Sequence, residues 1–266
     1  MAVASTRVRP NADVEHPGLA VGMMGMYIFL ASEVMFFGSL FAVYFYLFGS
    51  HPLGWPPAGT VPVQWWPIPT INTFVLLSSG ITAHFALDAI SHGGRLTGQT
   101  RISAAGIMAV FLAAMIITGV LALGSGSLAG AGLAFVSAVF ATAAIGIMLG
   151  VGPFSRGRAT YFGLLVVTIL LGAGFEFGQA YEYVHAHIQF SGLNQFSSAF
   201  FTMTGFHGAH VMGGLIFLTL ILARSLRGQF DANHHVGVAA ATLYWHFVDV
   251  VWVFLFFILY FAVTAI

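Results

Sequence analysis

SAAGIMAVFLAAMIITGVLALG (residues 103–124), then Ser125, Gly126 and Ser127, then LAGAGLAFVSAVFATAAIGIMLG (residues 128–150), contains no ionisable side chain. A helix needs roughly twenty apolar residues to cross the hydrocarbon core of a bilayer. Each run supplies them, and three small residues join the two. The stretch predicts a membrane-spanning helical hairpin. Outward from it, five more apolar runs of sufficient length stand at 19–48, 70–91, 158–187, 195–224 and 236–264. The expected fold is all-α: a polytopic membrane helix bundle of seven transmembrane helices, forming a single membrane domain over residues 1–266.

Composition supports the same solvent. Of 266 residues, 59% are hydrophobic and 6% charged, whereas soluble domains carry about 25% charged residues. So few charges could not cover a water-exposed surface. The formal net charge is zero, which argues against a nucleic-acid partner. Absence of cysteine excludes disulfides, iron–sulfur clusters and thiolate metal sites. Residues 1–18 are polar, with Arg7, Arg9, Asp13 and Glu15. The run that follows is too long for a signal-peptide core and has Glu33 in its middle, so it reads as a retained helix.

The arginines test the topology. Arg7 and Arg9 precede the first span. Arg95 and Arg101 lie between the second and third, Arg156 and Arg158 between the fourth and fifth, and Arg224 and Arg227 between the sixth and seventh. With seven spans, all eight fall on one side of the membrane. The positive-inside rule makes that side cytoplasmic, with the N-terminus inside and the C-terminus outside. The longest connection, 51–69, holds six prolines and also Trp55, Trp65 and Trp66, at the level where aromatic rings anchor at the interface. Glycines within the spans, among them Gly22, Gly25, Gly172, Gly174, Gly178, Gly205, Gly208, Gly213 and Gly214, are expected to let helix backbones approach closely.

Ionisable groups at bilayer depth are costly unless paired. Glu33 lies near the middle of the first span, His207 and His210 of the sixth, His246 and Asp249 of the seventh. Glu176, Gln179, Glu182 and His185 recur every three residues, which draws one drifting stripe along the fifth span. The same spacing puts His207 with His210, and His246 with Asp249, on shared faces. His84 and Asp88, four apart, are expected to pair, and His234 and His235 to sit solvated in the inner loop. Three readings of these groups stand open: internal glue between helices, a proton or ion pathway or lipid-headgroup site, and ligation of haem or another metal. Against the last, the only Glu-x-x-His pattern is Glu182 with His185, near a helix end, where a two-metal carboxylate site needs such pairs from facing helices. A carboxyl in apolar surroundings, such as Glu33, is a candidate for reaction with hydrophobic carbodiimides.

At these residues the chain resembles subunit III of the haem–copper terminal oxidases, most closely cytochrome c oxidase subunit III. The matching stretches are Ser-Glu-Val-Met-Phe-Phe (32–37), Trp-Pro-Pro-Ala-Gly (55–59), Pro-Thr-Ile-Asn-Thr (69–73), Gln-Ala-Tyr-Glu-Tyr (179–183), Gly-Phe-His-Gly-Ala-His-Val (205–211) and Tyr-Trp-His-Phe-Val-Asp-Val-Val-Trp (244–252). They stand in the family's order and span most of the chain. The resemblance implies a non-catalytic subunit with no redox centre and no cofactor or metal of its own. It implies packing on the catalytic subunit I, beside subunit II, with haem and copper in those partners. It further implies support of proton uptake in a proton-pumping complex of aerobic respiratory electron transport, and binding of membrane phospholipid. Glu33 matches the family's carbodiimide-reactive glutamate. His207, His210, His246 and Asp249 match its other intramembrane polar residues, with structural or lipid-linked roles; Glu176 and Glu182 are further lipid- or proton-linked candidates.

One departure is expected. The usual seven-helix member has two helices before the Ser-Glu-Val motif, which here lies in the first span. Residues 103–150 then supply two spans the family lacks at that place, read as an inserted structural hairpin. The arrangement points to the plasma membrane of a bacterium. The near alternatives are the equivalent subunit of a quinol oxidase and the accessory protein of nitric oxide reductase. A stand-alone transporter would call for broken spans or inverted repeats, and neither is visible.

Overall fold

The computed structural model describes residues 21–51, 54–57, 60, 63–185 and 194–265. The polar segment 1–18, with Arg7, Arg9, Asp13 and Glu15, lies outside the described residues, as do Ala58 and Gly59 of the Trp-Pro-Pro-Ala-Gly stretch and the predicted span ends at 19–20 and 186–187. The described residues hold helices and no strand. The helices are α1 (Val21–Gly49), α2 (Ile68–Ser91), α3 (Gly98–Gly124), α4 (Leu128–Leu149), α5 (Arg158–His185), α6 (Gln195–Leu226) and α7 (Val236–Leu255). A π-helical turn, Phe256–Phe261, carries α7 onward. Seven helices, the last counted over Val236–Phe261, are long and apolar enough to cross a membrane.

The helix ends follow local chemistry. Thr97 caps α3, its hydroxyl oxygen accepting from the Thr100 amide at 3.3 Å. Ser127 does the same for α4 through Gly130 at 3.3 Å, and Asn194 for α6 through Ser197 at 3.0 Å. Each satisfies one of the amides a helix start leaves unpaired. Gly150 closes α4 at φ 86°, a left-handed conformation that favours glycine. The predicted start of the third span, 103, lies five residues inside the capped helix. Counting apolar residues misses a polar first turn that the Thr97 cap supports.

The helices form two layers. In one, α1, α7, α2 and α3 follow one another; in the other, α6, α5 and α4. The most extensive packing is α2 on α5, and α3 on α4. The hairpin α3–α4 lies on the α2/α5 flank, and α1 lies at the opposite flank on α7 and α6. Lipid tails are as apolar as leucine, so close packing and interhelical hydrogen bonds, not solvent exclusion, hold such helices together. Trp245 of α7 shows how. It is fully buried, wedged between glycines of two neighbours. A Cβ on Gly172 of α5 would come within 2.6 Å of the Trp245 ring, and one on Gly214 of α6 within 2.8 Å. Its indole N–H donates to Ser79 Oγ of α2 at 2.9 Å. Trp252 likewise donates to Thr73 Oγ1 at 3.0 Å. Hydroxyl pairs join Thr82 to Thr168 at 2.8 Å and Tyr161 to Ser225 at 2.7 Å.

The described arginine loops meet at one end of the bundle. Gly94, after α2, lies directly against the backbone of Gly157 and Arg158. Arg158 in turn donates to the Phe230 carbonyl in the α6–α7 loop. Arg224 stacks over the Phe230 ring, 5.2 Å from its centroid. In the same loop the Asp231 carboxylate accepts from the amides of Asn233 at 2.8 Å and His234 at 2.9 Å. Those two amides hold its pKa below the ordinary carboxylate value. The opposite end is tied by Asn194, whose amide donates to Thr60 Oγ1 at 2.7 Å, and by Trp55, whose indole packs edge-on to Phe196 at 5.7 Å.

Candidate functional site

Polar side chains collect at three places within the bundle. The first joins α1 to α6. Glu33 Oε2 lies 3.0 Å from His210 Nε2, both side chains less than one-fifth exposed. The other ring nitrogen, Nδ1, is 2.6 Å from the Phe206 carbonyl oxygen. A carbonyl can only accept, so Nδ1 carries a hydrogen. Phe36 and Phe37 pack around the imidazole, at centroid distances of 6.1 and 5.0 Å. Tyr244 of α7 donates its hydroxyl to the His210 carbonyl at 3.0 Å.

The second lies among α5, α6 and α7. His207 is fully buried, stacked on Trp252 at 5.1 Å and edge-on to Phe175 at 5.8 Å. Neither of its ring nitrogens has a hydrogen-bond partner among the described residues. Along α5 the predicted stripe forms in part. Gln179 and Glu182 are buried. Glu176 is half-buried and faces α6, where a Cβ on Gly208 would sit 3.7 Å from its Oε1. Tyr260, on the π turn, brings its hydroxyl into reach of Glu182 and Gln179. Tyr183 shares a hydrogen with Thr204 Oγ1 at 2.6 Å. His185 leaves the stripe: it is exposed and stacks on Tyr181 at 3.9 Å.

The third joins α7 to α2. Asp249 Oδ2 is 3.5 Å from His246 Nδ1. Asp249 is buried because it lies directly over Gly80 of α2, where a Cβ would overlap its carboxylate. Asn72 of α2 lies in the same manner over Gly178 of α5 and donates to the Phe175 carbonyl at 3.2 Å.

One sequence expectation needs correction. Asp88 pairs with His92 Nδ1 at 3.2 Å and not with His84, whose ring lies instead 6.1 Å from that of His246. His207 and His210, three positions apart on α6, meet different neighbours: His207 lies against Phe175 of α5 and Trp252 of α7, and His210 against Glu33 of α1. His234 is exposed as expected, while His235 is half-buried. Sequence reasoning missed Gly80, Asn72 and Tyr260. Asn72 was already quoted within Pro-Thr-Ile-Asn-Thr, and its polarity inside a span was the available signal.

Fold and site together define a polytopic, all-helical membrane protein with paired polar groups at bilayer depth. Among the described residues no cluster of three or more His, Cys, Asp or Glu is placed to hold a metal ion. A profile described as "Cytochrome c oxidase subunit III" matches residues 12–149 and 153–264, and the chain belongs to that family. Cytochrome c oxidase subunit 3 of Thermostichus vulcanus is 33% identical over 247 residues, covering 92% of this chain and 89% of the relative. The subunit 3 proteins of Tetraodon nigroviridis and Drosophila melanogaster are 33% and 32% identical, each over 89% of this chain and 67% of the relative.

Proposed function

We propose that this chain is the non-catalytic subunit III of a proton-pumping cytochrome c oxidase in a bacterial plasma membrane. It packs on catalytic subunit I beside subunit II, which hold the haem and copper, and it supports proton uptake. The observation that carries this reading is the Glu33–His210 pair, which joins two of the stretches that carry the resemblance, Ser-Glu-Val-Met-Phe-Phe (32–37) and Gly-Phe-His-Gly-Ala-His-Val (205–211). The gathering of the described arginine loops at one end supports an inside location for that end. The packing of α3 and α4 on α2 and α5 supports reading them as a hairpin added to a core bundle.

The test is gentle detergent purification through a tag on this chain, with a visible spectrum, subunit identification and oxygen uptake. The expected result is co-purification of a haem–copper subunit with cytochrome c oxidation. A partner subunit II without its dinuclear copper site would move the reading to a quinol oxidase. A colourless chain, stable alone, would overturn it.

A further inference from the structure

The ionisable groups in the middle of the spans are buried or half-buried, with one exception. His84 of α2 is exposed, and its ring makes no hydrogen bond among the described residues. Beside it stands His246 of α7, its side chain 40% exposed. The two rings lie 6.1 Å apart at a 50° tilt. Both residues are within a few positions of their helix centres, so they face outward at the depth of lipid tails.

The chemistry of that spot is directional. Asp249 lies behind His246, on the Nδ1 side, at 3.5 Å, and is fixed there by the close approach of Gly80. A carboxylate accepts, so it favours the tautomer with hydrogen on Nδ1. That leaves the Nε2 lone pair for a donor from outside the chain. Hydrocarbon offers none, and headgroup donors sit at the interface, not at this depth. Val250 and Val253 of α7, both exposed, continue the stripe at helical spacing, and the exposed Phe257 follows on the π-helical turn; together they give it an apolar surround. The opposite layer differs: α6 exposes no ionisable side chain in mid-span, where Phe206, Met212, Ile216 and Leu220 are exposed and the exposed Thr219 donates its hydroxyl to the Leu215 carbonyl within its own helix.

We infer that the α2–α7 face, centred on His84 and His246, packs against a membrane-spanning helix of another subunit that presents a hydrogen-bond donor to His246. This rests on the reading of the chain as one subunit of an oxidase, and names the face that makes the contact.

A photoreactive p-benzoylphenylalanine at Val250, one turn from His246, tests it in the intact detergent-solubilised complex, with the same label at Met212 on the opposite layer. The expected result is a covalent product between Val250 and a span of a co-purifying haem-bearing subunit, and lipid adducts from Met212. Capture of that subunit from Met212, or only lipid or a second copy of this chain from Val250, would overturn the assignment of the face. If haem still co-purifies in that case, the subunit reading survives and only the face is wrong; loss of haem from the untreated wild-type preparation sinks both. A second variant, His246→Phe, removes the Nε2 acceptor, so recovery of the partner should fall about fivefold or more, the loss expected when a buried donor is left unpaired. Unchanged partner recovery with His246→Phe would contradict the inference. His84→Phe alters a side chain that the isolated chain leaves exposed and should not move the melting temperature of the isolated chain.

Discussion

Glu33 and His210 hold one hydrogen between them. The Phe206 carbonyl, 2.6 Å away, assigns a hydrogen to His210 Nδ1. The 3.0 Å contact between Nε2 and Oε2 then needs one more, drawn as an imidazolium–carboxylate pair or as a neutral acid donating to a neutral ring. Either way the pair is neutral as a unit, which suits its depth in the bilayer.

The pair predicts different outcomes for two substitutions. Glu33→Gln keeps a donor against Nε2 and should leave assembly largely intact. Glu33→Leu strands His210 Nε2 and should cost about 1–3 kcal/mol, read as a lower melting temperature in detergent. Equal stability of the two variants would show that the contact contributes nothing.

The contact of Gly80 with Asp249 predicts that Gly80→Ala is strongly destabilising. Its methyl would occupy the space of the carboxylate, and overpacking of this kind costs about 1–3 kcal/mol. Adding Asp249→Ala should recover part of the loss. A double-mutant cycle with no coupling would contradict the geometry.

Glycines in contact with Trp245 should differ from glycines facing open space. Gly172→Ala and Gly214→Ala should each destabilise by about 1–3 kcal/mol. Gly25→Ala and Gly38→Ala, with nothing within 4 Å of the new methyl, should be neutral or slightly stabilising, because alanine is the better helix former. Thermal unfolding of the four variants ranks them.

The Asp231 loop should respond to acid. Its lowered pKa means the folded loop favours the charged carboxylate. That contribution is present above the unfolded pKa and lost as pH falls through the lower folded one. Amide protection at Asn233 and His234, corrected for intrinsic exchange, should drop on acidification. Asp231→Ala should abolish the dependence.

The spans were legible because uninterrupted hydropathy survives any tertiary detail. The predicted run 128–150 and the helix Leu128–Leu149 differ by one residue. The Glu33–His210 pair was half legible: each member was visible as a polar group at depth, but their partnership depends on how α1 leans on α6. Tyr260 was hidden altogether. It meets Glu182 through a π-helical turn at Phe256–Phe261, and one wider turn rotates every later side chain away from the 3.6-residue register.

The 177 positions between Glu33 and His210 also set a waiting time. Ribosomes add about 5–20 residues per second, so α1 emerges roughly 10–35 seconds before its partner exists. During synthesis the first helix sits in the membrane with its carboxylate unmatched, and its lodging there is provisional until the sixth arrives.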